Sequence, residues 1–321
     1  MIVSFLQSVI RFSTVFLYGA VGETITEKSG NLNLGIPGIM CMGGAGGVIG
    51  GVMYINSLPD PEVMTWAGAI LVPVFMSMFF ALLGGLIYSF LTVTLRCNQN
   101  VTGLALTTFG IGFLAFVGSK FGTTYSRGMS LISRYFRQSF SFAADLEAFG
   151  QLFFSYGILV YSAIIIAIIT AVIIKKTRTG LNLRAVGENP ATADAAGISV
   201  TKYKYGATLI GSMIAGLGGL FYIIDKSAGN IEYTIDTYGW MAVALVIFTI
   251  WRTNWAILGS LIFAMLYLLP TFVAVSFAQM ELIKMVPYLV TIIVLIITSI
   301  RNGKEKQPPA SLGTTYFREE R

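Results

Sequence analysis

The chain has 321 residues, 55% of them hydrophobic and 11% charged, with a formal net charge of +6. Its mean hydropathy is +0.76. Soluble domains carry a charged share of about 25%, so this composition excludes an ordinary soluble domain and points to a protein made mostly of membrane spans. Histidine is absent, and Cys41 and Cys97 are too few for a disulfide framework and form no C-x-x-C pair.

A spanning helix needs about 20 apolar residues. Suitable segments lie at 3–22, 36–55, 66–95, 101–119, 152–174, 206–224, 238–251, 255–275 and 285–300. About eight or nine spans are therefore expected, all helical because lipid cannot satisfy open backbone groups. The start lacks a basic stretch, a short apolar core and a cleavage site, so the first segment reads as an uncleaved span. Segment 66–95 is long enough to tilt or protrude. Segment 238–251 is short and predicts a tight hairpin with 255–275 around Arg252, Thr253 and Asn254.

Between the first two spans, residues 27–38 hold Asn31, Asn33, three glycines and Pro37. That composition suits a broken or re-entrant helix whose free backbone lines a cavity; the plainer alternative is a turn with capping residues. Small residues recur every four positions at Gly43, Gly47 and Gly51, at Gly46 and Gly50, and at Gly211, Ala215 and Gly219. This spacing lets helix backbones approach closely, as a static seam or as one that rearranges. Asn98, Gln99, Asn100, Thr107 and Thr108 open the fourth span. Together with Asn31 and Asn33 they are the candidate substrate pathway, offering hydrogen bonds without demanding a charge; caps are the alternative. Segment 120–151 carries Tyr125, Tyr135, Phe136, Phe140, Phe142, Phe149 and several arginines. It reads as an interfacial aromatic belt or as a dock for an external protein. Glu23, Asp225 and Glu281 read as lying at span edges.

Residues 175–205 form a basic island between apolar spans. Asn189 fits an N-cap and Pro190 the first helical position. Ala191 to Ala196 follow, Gly197 suits the left-handed closing position, and Ile198 can supply the closing apolar contact. A small helix capped at both ends makes a rigid knob for a soluble partner; an ordinary loop with a stray helical turn is the alternative. With this island inside, the interior collects Lys28, Arg96, Lys175, Lys176, Arg178, Arg184, Lys202, Lys204, Arg252, Arg301, Lys304, Lys306, Arg318 and Arg321. The exterior keeps Lys120, Arg127, Arg134, Arg137, Lys226 and Lys284, and Arg11 stays unassigned within the first span. This asymmetry puts the N-terminus outside and the tail inside.

No phosphate-cradling G-x-x-x-x-G-K-[ST] loop is present, and without histidine neither a zinc-protease nor a Ser-His-Asp site can form. No carboxylate relay is evident within the spans, so the chain reads as a pathway energised by something else, and not as an intramembrane enzyme, a secondary carrier or a channel.

Four blocks carry a resemblance: EKSGNLNLGIPGIMCMGG at 27–44, NQNVTGLALTTFG at 98–110, TRTGLNLRAVGENPATADAAGISV at 177–200 and GWMAVALVIFTIWRTNWAILGSLIF at 239–263, joined by the tail PPASLGTTYFREER at 308–321. The chain resembles permease subunits of bacterial nucleoside-type ABC importers linked to BMP-family lipoproteins, within the ribose and branched-chain amino-acid permease superfamily. It departs at Pro37, where the family usually has an acidic residue, and at Thr249 and Thr253 in the fourth block.

The resemblance implies an all-α polytopic membrane protein with a type II ABC-importer-like transmembrane domain over 1–300 and a cytoplasmic tail over 301–321. It implies a multi-pass subunit of the bacterial plasma membrane that performs no covalent chemistry. A second related permease, an ABC ATPase with two nucleotide-binding domains that holds the ATP and magnesium, and an extracytoplasmic substrate-binding lipoprotein would be its partners. No cofactor and no nucleic acid would bind this chain. Glu188, Asn189, Pro190, Ala191, Asp194, Ala195 and Gly197 would dock into the ATPase. A sugar or branched-chain amino-acid cargo is the alternative within the same fold.

Overall fold

The computed structural model describes residues 2–140, 147–231, 235–272, 276–300 and 307–317. Phe142 and the tail residues Arg301, Lys304, Lys306, Arg318 and Arg321 lie outside them. Among the described residues all regular structure is helical. The order is α1 (Ile2–Glu27), α2 (Ile36–Asn56), α3 (Trp66–Ser89), α4 (Gln99–Phe121), α5 (Ser126–Phe136), α6 (Glu147–Phe153) and α7 (Ile158–Lys176). Then come α8 (Arg178–Glu188), α9 (Pro190–Ala195), α10 (Val200–Leu220), α11 (Ile235–Phe248), α12 (Thr253–Phe272), α13 (Phe277–Lys284) and α14 (Val286–Ile300). Both α3 and α10 run on through a π-helical turn, Phe90–Thr94 and Phe221–Lys226.

Eight helical segments among the described residues are long and apolar enough to cross a membrane. The expected span at 238–251 is not one of them. Its helix, α11, has 14 residues and is about 21 Å long, against an apolar core of about 30 Å. It starts inside the bundle, where Ile235 is buried beside Gly44 of α2. The expected hairpin does form: Ile250 and Trp251 adopt left-handed backbone at φ 54° and 52°. The Trp251 N–H donates to Val246 O at 3.1 Å, and α12 starts two residues later.

The spans divide into a buried centre and an exposed ring. α1, α2, α10 and α11 bury most of their surface, while α3, α4, α7, α12 and α14 turn residues such as Phe75, Phe109, Ile165, Leu258 and Ile296 outward. The glycine stripes explain how the centre closes. Gly43 of α2 lies on the backbone of Gly216 in α10, and Gly46 and Gly50, on the adjoining strip of the same side of α2, meet Met76 and Pro73 of α3. Ser77 Oγ donates to Gly216 O at 3.1 Å across the same seam. Small side chains bring these backbones close enough for van der Waals packing to hold them in lipid.

At the far end from the basic island, Asp225 stands at the edge of its span, as expected, yet is fully buried, and Arg11 reaches it from α1 at 2.9 Å. Arg137 adds donations from Nε to Asp225 O at 2.5 Å and from Nη2 to Lys226 O at 2.9 Å. Burial lowers the Arg137 pKa, Arg11 nearby lowers it further, and Asp225 offsets part of this. Segment 120–151 is therefore no free surface strip: α5 turns Met129, Ile132 and Phe136 into the bundle, and Phe140 and Phe149 stay exposed. Tyr125 and Tyr135 are tied down by hydrogen bonds with Asn56 and Met64. Cys41 is buried and Cys97 exposed, both free.

Candidate functional site

The site begins where α1 stops. Gly30 at φ +87° turns the chain, and the Gly30 N–H donates to Glu27 O at 2.9 Å. Residues 31–35 then run back into the bundle. The Leu32 N–H donates to Gln99 Oε1 at 2.7 Å, Tyr88 OH to Leu32 O at 2.5 Å, and Thr107 Oγ1 to Leu34 O at 2.9 Å. Thr107 stands eight residues into α4, which is about 12 Å along its axis. The loop thus penetrates well past the helix ends before Pro37 starts α2 in its first turn. Backbone groups that leave a helix at this depth need partners, and side chains from α1, α3 and α4 supply them.

Asn31 and Asn33 are fully buried in this loop. Asn31 Nδ2 donates to Thr208 Oγ1 at 3.1 Å, and Asn33 Oδ1 accepts from the Gly35 N–H at 3.0 Å. Beneath them sit Glu23 and Glu27, four residues apart on one face of α1 and both buried. Glu23 Oε1 accepts from the Asn33 N–H at 3.3 Å, and the Trp251 indole N–H donates to Glu27 Oε2. Glu23, one turn before the end of its span, is therefore covered: the 28–35 loop folds over it and the α11–α12 turn over Glu27. The signal is present in the sequence as E-x-x-x-E at helical spacing followed, after Lys28, by S-G-N-x-N. Three atoms here, Glu23 Oε2, Asn31 Oδ1 and Asn33 Nδ2, are buried with no hydrogen-bond partner.

Of the candidate pathway residues, the fold gathers Asn31, Asn33, Gln99 and Thr107 around this loop. Asn98, Asn100 and Thr108 are exposed. Asn98 caps α4 by accepting from the Asn100 and Val101 N–H groups at 3.0 and 3.1 Å. Thr108 Oγ1 donates only to Leu104 O of its own helix, at 3.1 Å.

The basic island folds as two helices, α8 and α9, of which the first is not anticipated in sequence. Thr177 caps α8 through the Gly180 N–H at 3.1 Å. Asn189 caps α9 by accepting from the Thr192 N–H at 3.0 Å, with Pro190 at its first position. At the other end Gly197 has φ +81°, and the Ile198 N–H donates to Ala193 O at 3.0 Å. Ala193, Val186 and Val200 form a small separate core with Ile198 and Tyr316 against it. Ala191, Thr192, Ala195 and Ala196 face outward.

The tail does more than trail away. Residues 309–317 fold back as a strap between this knob and the re-entrant loop. Ser311 donates its N–H and its Oγ to Gly187 O at 3.0 and 2.5 Å, and the Gly313 N–H donates to Gly30 O at 3.1 Å. Gln99 Nε2 donates to Thr314 O at 3.3 Å, and Tyr316 OH donates to Asp194 Oδ2 at 2.8 Å. Arg96 lies 4.7 Å above the Phe317 ring. Glu188 Oε2 accepts from the Ala310 N–H at 3.4 Å. Lys28, between strap and knob, has its pKa lowered first by burial; Glu188 pulls it back up, while Arg184 and Arg252 push it down further. The sequence offers this strap only as a run of turn-forming residues, P-P-A-S-L-G.

Known proteins are similar to this chain along most of its length. The nucleoside ABC transporter permease protein NupC of Lactococcus lactis is 30% identical over 97% of this chain and 96% of its own. A putative glucose ABC transporter permease protein of Haloferax volcanii is 29% identical over 81% of this chain and 75% of its own. The guanosine ABC transporter permease protein NupQ of Bacillus subtilis is 27% identical over 88% of both. No solved structure matches. The permease component of branched-chain amino acid transport systems describes the family that matches residues 5–295, and with nearly the whole helical bundle inside that match the chain belongs to this family of ABC transporter permeases.

Proposed function

We propose that the chain is the translocating subunit of an ATP-driven importer that moves nucleosides inward across a bacterial plasma membrane, with its tail and basic island in the cytoplasm. The cargo follows from relatives named as nucleoside and guanosine permeases that align over most of this chain. A sugar cargo is the second reading, favoured by the relative named as a putative glucose permease. ATP and magnesium belong to a separate ATPase with two nucleotide-binding domains. A second related permease and an external binding lipoprotein complete the machine.

The observation that carries the mechanism is the polar chain of contacts from the α9 knob, through the strap, to the buried loop at 28–35. The knob, Glu188 to Gly197, presents Ala191 and Ala195 to the ATPase. When the ATPase moves it, Asp194 and Gly187 draw on the strap, and Gly313 and Thr314 pass the displacement to Gly30 and Gln99. The buried atoms without partners at Glu23, Asn31 and Asn33 then gain water or a neutral polar cargo as the loop opens. Buried polar groups are nearly always satisfied, and unsatisfied ones mark a state ready to exchange partners.

The test is Ala195→Trp in the assembled importer. Association with the ATPase and nucleoside uptake should both be lost while the chain still inserts. Normal uptake in this variant removes the knob from the interface. Binding of labelled nucleosides and sugars to the partner lipoprotein decides between the two cargo readings.

A further inference from the structure

Two adjoining cavities border the knob on the basal side, the end of the bundle that carries the basic island. One is a basin of about 760 Å³ where the end of α1, the end of α7, α8 and the α11–α12 turn meet. Among the described residues its charged lining is Lys28, Lys175, Arg184, Arg252 and Glu188, four basic side chains and one acidic. The other is an apolar furrow of about 320 Å³ between α7 and α12, lined by Ala167, Ile168, Ala171, Val172 and Ile257. The two share Ala171, Lys175, Thr253 and Asn254, so one opens into the other. Trp255, which lines the basin next to the shared Asn254, is exposed, and Ile168 and Val172 are exposed along the furrow.

We propose that this basin and furrow together bind one anionic phospholipid, with its phosphodiester among Lys175, Arg184 and Arg252 and one acyl chain between α7 and α12. The chemistry fits each half. Crowded basic side chains at the level where helices leave the bilayer attract a phosphate, and a basic pocket between spans suits a lipid headgroup. The furrow follows spans whose outward face is already apolar, so a soluble anion would leave it empty. An indole at the boundary is the side chain expected at headgroup depth. A docking protein would use the basin but have no use for a slot that runs down into the bilayer. This inference goes beyond the proposed cargo and stands without it.

The experiment uses the full chain, delipidated and titrated with palmitoyl-oleoyl phosphatidylglycerol, with phosphatidylcholine of the same chains, and with glycerol phosphate. Bound lipid is read by native mass spectrometry. One phosphatidylglycerol should be retained with about tenfold preference over phosphatidylcholine, and glycerol phosphate should not compete at equal concentration. R184Q/R252Q should erase that preference, and Ala171→Trp, which fills the furrow, should weaken both lipids alike. If the double variant does not fold, Lys175→Gln, at an exposed position, should still cut the preference about fivefold. Equal retention of the two lipids by the unaltered chain overturns the proposal. So does full competition by glycerol phosphate, which marks a soluble-anion site, or an unchanged lipid preference in R184Q/R252Q accompanied by loss of the ATPase, which marks a protein dock.

Discussion

Single residues set the two ends of the proposed relay. Gly197 stands at φ +81°, and the space a β-carbon would occupy there is empty for 4 Å around, so backbone conformation and not crowding demands glycine. Gly197→Val should weaken the cap by about 1 kcal/mol and reduce ATPase association without affecting insertion, measured by co-purification from membranes. At the other end, Gln99 and Asn100 are neighbours with opposite surroundings. Gln99→Leu strips a partner from the buried Leu32 N–H and should cost about 1–3 kcal/mol, with uptake lost and ATPase assembly kept. Asn100→Leu should leave uptake unchanged; equal loss in both would place the pathway on the exposed face of α4. The caps of α9 are legible in sequence because each is a local signal within ten residues. The Glu27–Trp251 contact is not, because 224 residues separate its partners.

At the scale of elements, hydropathy reveals the long spans and misjudges the short one. Residues 238–251 are apolar enough for a span, yet α11 begins in the interior, where other helices and not lipid surround it. Burial by protein and burial by lipid leave the same mark in composition. The 28–35 loop is legible from its amides and glycines, because few other residues allow a chain to turn back at depth. The strap is nearly silent, since its main-chain hydrogen bonds are ones that any run of turn residues can make, and its side-chain contacts at Ser311, Tyr316 and Phe317 reach partners more than 100 residues away. Ending the chain after Gln307 should leave the spans inserted and loosen α8 and α9. Faster amide exchange over 178–198 would report this, and unchanged exchange would reduce the strap to a passive tail. Tyr316→Phe removes a single bond to Asp194 and should produce a smaller change of the same kind, about 1 kcal/mol.

Across the whole molecule, the arrangement separates holding from moving. The far end is fixed by the Arg11–Asp225 pair and by Arg137 on the last turn of α10, while the basal end carries the broken helix, the knob and the strap. Motion driven from the base would pivot about the far end. On the proposed function, the chain purified alone into liposomes should neither hydrolyse ATP nor concentrate nucleosides, and should do both with its ATPase and second permease. Concentrative uptake by the lone chain would make it a secondary carrier, with the Glu23–Glu27 pair the first place to look for a proton.

The strap also sets an order of events during synthesis. Tyr316 meets Asp194 across 122 residues, so at ~5–20 residues per second the knob waits roughly 6–24 s after emerging before its last side is closed. In that interval the final spans enter the bilayer. A chain released after Gln307 would carry every described span and an α9 still open on one side. Recruitment of the ATPase to such shortened chains, compared with full-length ones, would reveal whether the strap acts as a completion check that keeps the motor away from unfinished pores.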